Sequence, residues 1–186
     1  MAFILVLLRL ILVAIFSLSS YGKLKEKSLI SLRMIAGYRI LPEFLHRPVA
    51  AFLPGIELFL SVSLLLGMQS KNAAFVSAIV MLTFAFAQIS VLVRRISTDC
   101  GCFGTLGKSE VSPILVGRNL VFAAGAFLLT IFPFKGWIDS GVSLGMWLLI
   151  GMILLSVSWA VFEAKRKKEK KYYDLQSKRI SEIIGT

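Results

Sequence analysis

The sequence predicts an all-α, multi-pass transmembrane helical bundle, and three observations carry this prediction. The 186 residues are 57% hydrophobic with a mean hydropathy of +0.82, whereas soluble domains are about 45–50% apolar. The apolar residues form runs of about 20, the length that crosses a bilayer as a helix. The net charge of +11 comes from basic residues between and after these runs, a pattern typical of cytoplasmic loops and of contact with the lipid bilayer rather than with nucleic acid. We therefore expect five spans, at about residues 2–19, 49–67, 73–93, 114–132 and 142–162.

The first span is broken only by Arg9 and Ser17. A signal peptide would look similar, but no basic residue precedes Arg9 and no clear small-x-small cleavage site follows the run. We therefore expect a retained span. Because a guanidinium inside a bilayer is costly, Arg9 is expected to snorkel to the interface or to find a partner.

A basic connector, residues 20–47, leads to the second span. The mixed apolar spacing from Leu29 to Ile35 predicts a short interfacial helix. His46, the one histidine of the chain, is expected to be a solvated loop residue. The connector is thus expected to lie at the membrane surface rather than to cross it.

The second and third spans carry the polar residues of the membrane interior. Pro54 should bend the second span because it removes a helical hydrogen bond. Glu57 follows three residues later. Because a helix rises about 1.5 Å per residue, Glu57 should lie well inside the hydrocarbon. Either it faces the bundle and pairs with an arginine or a hydroxyl, or it is a proton or quinone-contact site. The third span places Gln88 near its far end.

The fourth and fifth spans complete the predicted bundle. Pro113 suits the first turn of the fourth span, which carries Arg118 and Asn119 early in its length. Residues 1–162 are expected to form one transmembrane domain. Residues 163–186 form a basic tail, either a cytoplasmic helix extension or a disordered contact with anionic lipid.

The charge distribution orients the bundle. With the tail in the cytoplasm, all of the 21 Lys and Arg residues except Arg9, Lys71 and Lys135 lie in the tail or in cytoplasmic loops. The reverse orientation would place those residues outside, against the positive-inside rule. We therefore expect the N terminus outside the cytoplasm and the loop after the third span near the cytoplasmic face.

That loop contains both cysteines of the chain within one short motif, Asp99-Cys100-Gly101-Cys102-Phe103-Gly104. Two cysteines cannot form a disulfide scaffold. They are also fewer than the four ligands of a structural zinc or iron–sulfur site, so no metal is expected. A disulfide across one residue closes a small ring, which should be comparatively easy to reduce. Gly101 tolerates the backbone angles that such a ring demands.

The residues around the pair can tune its reactivity. Arg94, Arg95 and the nearby helix N terminus favour the thiolate, whereas Asp99 disfavours it or accepts a proton. Phe103 can anchor the loop in the interface, and Gly104 can turn it. The residues alone leave three interpretations open: thiol redox chemistry, metal delivery with ligands completed by a partner, and two inert cysteines.

These motifs resemble those of a known family. The hexapeptide, preceded by Arg94-Arg95 and followed by Arg118-Asn119, is similar to the MauE (methylamine utilisation) family, which is related to DoxX-like membrane proteins. Flanking pieces add to the resemblance: Gly22-Lys23-Leu24, Tyr38-Arg39-Ile40-Leu41-Pro42, and Pro54-Gly55-Ile56-Glu57-Leu58 with Gly67. The resemblance covers about residues 8–132 and implies a four-helix core, which the fifth span exceeds.

The resemblance implies a multi-pass protein of the plasma (inner) membrane. Such a protein supports maturation of methylamine dehydrogenase, whose small subunit is rich in disulfides. The resemblance also implies a thioredoxin-fold partner and an extracytoplasmic client protein. We therefore expect a thiol–disulfide oxidoreductase with Cys100 and Cys102 as the catalytic pair. No bound cofactor is implied, and the use of a quinone stays open.

The expected chemistry and the expected orientation conflict. Disulfide formation belongs outside the cytoplasm, whereas the charge distribution places the cysteines near the cytoplasmic face. A loop that dips into the bundle and passes electrons across the membrane, along a path lined by Glu57 and Gln88, reconciles the two. Two other functions remain: a non-enzymatic assembly scaffold with incidental cysteines, and a small-solute or lipid-handling protein built around Glu57.

Overall fold

A computed structural model of the chain describes residues 2–102, 110–132 and 143–184, with side chains described from residue 3 to residue 174 within these ranges. The described residues form six helices: α1 (Ala2–Lys25), α2 (Ser28–Gly37), α3 (Glu43–Leu66), α4 (Ser70–Val93), α5 (Pro113–Ile131) and α6 (Leu144–Ile184). All of them except α2 are long and apolar enough to cross a membrane. The prediction of an all-α, multi-pass bundle is confirmed.

The helices α1 and α3 form the centre of the bundle. Leu12 and Phe16 of α1 and Leu60 of α3 are fully buried and belong to one hydrophobic cluster. Arg9 donates its Nε–H to the carbonyl of Leu64. It also donates an Nη2–H to the carbonyl of Leu65 at 3.2 Å. The last carbonyls of a helix lack partners within the helix and carry negative partial charge. Arg9 therefore finds its partner at the C-terminal end of α3.

The start of α3 differs from the expected second span. The helix begins at Glu43, directly after Pro42, and not at residue 49. Pro48 lies within the helix together with Pro54. His46 is consequently a helical residue, half-buried, with its Nε2 3.0 Å from the carbonyl oxygen of Leu41. The expectation of a solvated loop histidine was wrong.

Helix α6 packs closely against α3 beside Pro54. Pro54 has no N–H to donate to the carbonyl four residues before it, and its ring crowds the preceding turn. Two neighbouring carbonyls accept hydrogen bonds from serine hydroxyls of other helices. Ser158 of α6 donates its hydroxyl to the carbonyl of Ala51, and Ser20 of α1 donates to that of Pro54 at 2.8 Å. Gly55 permits this approach, since a Cβ there would lie 2.9 Å from Cβ of Ser158.

A larger residue at position 55 is therefore expected to separate α3 from α6. Gly55→Leu should lower the free energy of unfolding by about 1–3 kcal/mol, the usual cost of overpacking. Gly117→Leu on α5 is the matched control, since nothing lies within 4 Å of a Cβ at Gly117. Denaturation in mixed detergent micelles measures both variants. Equal stability of the two would contradict the close packing of α3 on α6.

Helix α6 continues past its apolar part into a basic part that holds α2. The carboxylate of Glu169 accepts hydrogen bonds from the N–H groups of Ser28 and Leu29, at 2.9 and 3.3 Å, and from the Ser28 hydroxyl at 2.7 Å. It thus caps the positive N terminus of α2. Of the two alternatives for the tail, the structure shows the helix extension. The predicted interfacial helix is α2, docked on α3 and α6.

Candidate functional site

The two cysteines form a disulfide across Gly101, with their Cα atoms 5.4 Å apart. Gly101 has a φ of +64°, in the left-handed region that favours glycine. A Cβ at this position would also lie 3.1 Å from the sulfur of Met34 on α2. The backbone conformation therefore favours glycine between the cysteines, and a side chain there would also displace the Met34 sulfur by a few tenths of an ångström.

The loop that carries the cysteines folds back into the bundle and meets Gln88. This residue lies five positions before the end of α4 at Val93, about 7.5 Å along the helix axis. Its Nε2 donates to the sulfur of Cys100 at 3.0 Å and to that of Cys102 at 3.3 Å. Its Oε1 accepts a hydrogen bond from Nδ2 of Asn119 at 3.1 Å.

This arrangement fixes the orientation of the Gln88 amide. Gln88 and Asn119 are only 1% and 3% exposed, so their polar atoms must find partners inside the protein. Because Asn119 occupies the carbonyl oxygen of Gln88, the N–H groups of Gln88 are directed at the two sulfurs. Hydrogen bonds to a charged form stabilise that form. The Gln88 amide can therefore stabilise a thiolate when the pair is reduced.

Two further side chains hold the backbone of the loop. The Tyr38 hydroxyl donates to the carbonyl of Cys100 at 2.7 Å. The Ser19 hydroxyl lies within hydrogen-bonding distance of the carbonyl of Cys102 and shares its single proton between that carbonyl and the carboxylate of Glu57. Burial raises the pKa of Tyr38 to about 12, so the phenol remains protonated and a donor at physiological pH. The loop is thus held by α1, by the end of α2 and by α4 together.

Glu57 is fully buried and paired. It forms a salt bridge with Lys23, whose side chain is 10% exposed. The Ser19 hydroxyl lies 2.9 Å from Oε2 of Glu57, and the Lys23 ammonium donates to Ser19 at 2.8 Å. Glu57 therefore faces the bundle and pairs with a hydroxyl, as one interpretation expected, but its cation is a lysine rather than an arginine. Ser19 places this pair one hydrogen bond from the carbonyl of Cys102.

The remaining residues singled out from the sequence lie further from the sulfurs. Arg94 donates to the carbonyls of Ser90, Tyr38 and Arg39. It therefore joins the end of α2 to the end of α4. Arg95 is exposed.

Two others flank the motif. Asp99 is exposed and forms an isolated antiparallel bridge with Glu110. Arg118 is half-buried on α5, next to the residue that binds Gln88. Phe103 and Gly104 lie outside the described residues.

A cavity of about 260 Å³ lies beside the disulfide. Its wall consists of side chains from α1, α2, α3 and α4, and Cys100, Gly101 and Cys102 form one side of it. Most of the wall is apolar, with Gln88 and Lys23 among the polar residues. The pair is thus open to a small apolar compartment within the bundle.

Sequence reasoning did not assign Ser19 and Tyr38 to the site. Ser19 and Lys23 are four residues apart on α1, so they share one helix face. This spacing, together with an intramembrane carboxylate in need of partners, could have indicated that Ser19 and Lys23 bind Glu57. The contact of Tyr38 depends on the path of the loop, which has no periodic pattern to reveal it.

A family model described as "Methylamine utilisation protein MauE" matches residues 1–132, which include α1 to α5 and the cysteine pair. The chain belongs to the MauE family. The MauE match contains four of the membrane spans, and α6 lies outside it.

Curated relatives agree with this assignment. "Methylamine utilization protein MauE" of Methylorubrum extorquens is 35% identical over 133 residues, 66% of this chain and 72% of the relative. The protein of the same name from Paracoccus denitrificans is 36% identical over 123 residues, 66% of each chain. A third, from Methylophilus methylotrophus, is 34% identical over 116 residues, 61% of this chain and 59% of the relative. No solved structure matches the chain significantly.

The Gln88 amide is expected to control the reactivity of the reduced pair. Gln88→Leu keeps the size of the side chain but removes both N–H donors. Since a hydrogen bond to a charged group contributes about 1.5–3 kcal/mol, alkylation of the reduced thiols at neutral pH should slow by about tenfold or more. Stopped alkylation followed by mass spectrometry measures the rate.

A second amide on the same helix supplies the control. Asn72 lies near the start of α4, at the opposite end from Gln88. Asn72→Leu should leave the alkylation rate within twofold of the unchanged protein. An unchanged rate in Gln88→Leu would show that the amide has no influence on the thiolate.

Proposed function

We propose that this MauE-family protein is a thiol–disulfide oxidoreductase of the membrane. Cys100 and Cys102 cycle between dithiol and disulfide and exchange electrons with a thioredoxin-fold partner. The exchange supports disulfide formation in an extracytoplasmic client protein. One observation carries the proposal: the amide of Gln88, fixed by Asn119, donates to both sulfurs in the buried interior. Two inert cysteines would have no need of such a buried polar arrangement.

The two sulfurs are not equivalent in this scheme. Cys100 is buried, at 6% exposure, whereas Cys102 is half-buried. Thiol exchange proceeds by attack on an accessible sulfur through a mixed disulfide. Cys102 is therefore the sulfur that the reduced partner attacks, Cys100 leaves as a thiolate in the interior, and the second cysteine of the partner resolves the mixed disulfide.

The client follows from the family. The curated relatives are named for methylamine utilisation, and the family resemblance connects such proteins with maturation of methylamine dehydrogenase. We propose the same accessory role for this chain where that enzyme is its client. The membrane is the plasma (inner) membrane, with the α6 extension in the cytoplasm, as the distribution of basic residues favours.

With this orientation, electrons from an extracytoplasmic client must cross the membrane to reach the pair, and the folded-back loop carries the pair only about 7.5 Å of that distance. Gln88 meets the cysteines five residues before the end of α4. An impermeant thiol reagent should therefore label neither reduced cysteine rapidly in intact cells, while a membrane-permeant reagent labels both. Rapid labelling by the impermeant reagent in intact cells would place the loop outside instead.

A solute-handling role for Glu57 has less support. Its carboxylate is occupied by Lys23 and Ser19. Among the described residues, the wall of the cavity beside the disulfide includes Lys23 but not Glu57. Glu57 is better explained as part of the support of the cysteine loop, through Ser19 and the carbonyl of Cys102.

A mixed-disulfide experiment tests the proposal. The full chain in lipid nanodiscs, with its disulfide formed, is mixed with a reduced thioredoxin-fold protein whose resolving cysteine is replaced by alanine. We expect a covalent complex on a non-reducing gel that disappears with excess dithiol. The double variant Cys100→Ser/Cys102→Ser is the blank, since the chain has no other cysteine. Absence of the complex with the unchanged chain would contradict the exchange reaction and favour a scaffold.

A further inference from the structure

We propose that the cavity beside the Cys100–Cys102 pair binds the ring of a lipid-soluble quinone, which accepts electrons from the reduced pair. The proposal rests on the function proposed above and names its electron acceptor. The argument concerns where the cavity lies, what lines it and which reaction it permits.

The cavity extends to the outer, lipid-facing surface of the bundle. Thr83 belongs to its wall and lies in the middle of the spanning helix α4. The same residue is exposed, and the exposed side of a spanning helix faces lipid. Helix α4 packs mainly on α5, and α3 packs mainly on α1 and α6, so the space between α3 and α4 is filled by few contacts. A ligand dissolved in the bilayer can therefore enter from the side.

The wall selects an apolar ring. Leu53 of α3, Phe84 of α4 and Met34 of α2 belong to it. Its volume of about 260 Å³ lies just below the roughly 300–1,000 Å³ typical of sites for whole small molecules. This volume suits one ring with its isoprenoid chain extending into lipid, and it is too small for a folded segment of a partner protein.

Polar groups are present where a quinone carbonyl would need them. The ammonium of Lys23 has three N–H donors, and Glu57 and Ser19 accept two hydrogen bonds from it. Lys23 also lies 5.2 Å from the centre of the Phe84 ring in the cavity wall. The other charged residue of the wall is Glu26, which accepts a hydrogen bond from Ser31 at 3.4 Å. An ammonium beside an aromatic face suits a neutral ring with carbonyl oxygens.

The reaction balances without a further reactant. The S–H bonds of Cys100 and Cys102 break and one S–S bond forms between them. Two electrons and two protons pass to the quinone, which becomes a quinol with two O–H groups. One quinone is therefore reduced for each pair of thiols oxidised, and the quinol leaves through the bilayer.

The test uses the reduced full chain in lipid nanodiscs and a short-chain benzoquinone with every ring position substituted, so that thiols cannot add to the ring. Quinol formation is followed by ultraviolet absorbance and the remaining thiols by alkylation. We expect one quinol for every two thiols lost. The double cysteine variant gives the background rate.

Two tryptophan variants decide whether the cavity is the site. Thr83→Trp fills the lipid side of the cavity and should slow quinol formation by about tenfold or more, as overpacking of a binding site does. Ile79→Trp adds the same ring one turn away, at a residue that is 47% exposed, and should retain the original rate. Helical circular dichroism and oxidation by diamide confirm that both variants are folded.

The outcomes separate this inference from the proposed function. If the pair forms mixed disulfides with the thioredoxin-fold protein but does not reduce the quinone, the quinone site is wrong and the exchange function stands. If Thr83→Trp and Ile79→Trp react equally fast, the quinone does not use this cavity and the inference is overturned. If the cysteines exchange with neither reagent, both proposals are wrong.

Discussion

Replacing Cys100 with serine is expected to abolish redox cycling and to trap the partner. In this variant the half-buried Cys102 still exchanges with a partner disulfide, but no second thiol resolves the mixed disulfide from the interior. We expect complete loss of catalytic turnover. We also expect a stable covalent complex with a thioredoxin-fold protein that lacks its resolving cysteine and carries its remaining cysteine as a disulfide with thionitrobenzoate, because Cys102 attacks that disulfide and thionitrobenzoate leaves as the thiolate. A non-reducing gel measures the complex. Turnover is measured as repeated disulfide formation in a client protein that is supplied in its reduced form.

Cys102→Ser is the matched comparison. It also loses all turnover, but it leaves only Cys100, which is 6% exposed. Because exchange depends on access to the reacting sulfur, this variant should trap several-fold less complex than Cys100→Ser. The reverse ranking would contradict the roles assigned to the two sulfurs. Full turnover in both variants would remove the cysteines from the function altogether.

Removing one partner of the Lys23–Glu57 pair is expected to cause the largest loss of stability. Lys23→Met leaves a fully buried carboxylate without its counter-charge, which typically costs about 3–5 kcal/mol in the free energy of unfolding. The Ser19 hydroxyl should then bind Glu57 alone and release the carbonyl of Cys102. Unfolding in mixed micelles measures the stability.

A double-mutant cycle tests whether the two charges act as a pair. Lys23→Met/Glu57→Gln removes both charges, so it should be more stable than Lys23→Met alone by about 1 kcal/mol or more. The half-buried ion pair of Arg166 and Glu163 on α6, one turn apart on the same helix, supplies the control, and Arg166→Met should change stability by less than about 1 kcal/mol. Additive effects of Lys23→Met and Glu57→Gln would show that the salt bridge contributes no coupling.

The spans could be predicted because the backbone N–H and C=O groups of a chain in a bilayer must form hydrogen bonds with one another. Runs of about 20 apolar residues must form helices there, and α4 and α5 begin and end within a few residues of expectation. The start of α3 was missed because Pro48 reads as a boundary in sequence. In the structure the helix already begins at Glu43, after Pro42.

The polar contacts of the site could be predicted only in part. The sequence indicated that Glu57 needs a partner, but hydropathy does not say which helices face each other, and so it could not distinguish Lys23 from an arginine. The hydrogen bonds of Gln88 to the sulfurs depend on the return of the loop into the bundle. That path is set by tertiary contacts such as those of Tyr38 and Arg94, which leave no periodic pattern in sequence.

The most direct test of the central claim is the redox state of Cys100 and Cys102 in native membranes. Membranes are quenched with acid, and a thiol reagent of known mass is added with and without prior reduction. We expect both cysteines to be protected before reduction and both to be labelled after it, with protection returning when the reductant is removed and a mild oxidant is supplied. Cysteines that are labelled from the start and stay reduced under the oxidant would contradict a cycling thiol–disulfide pair.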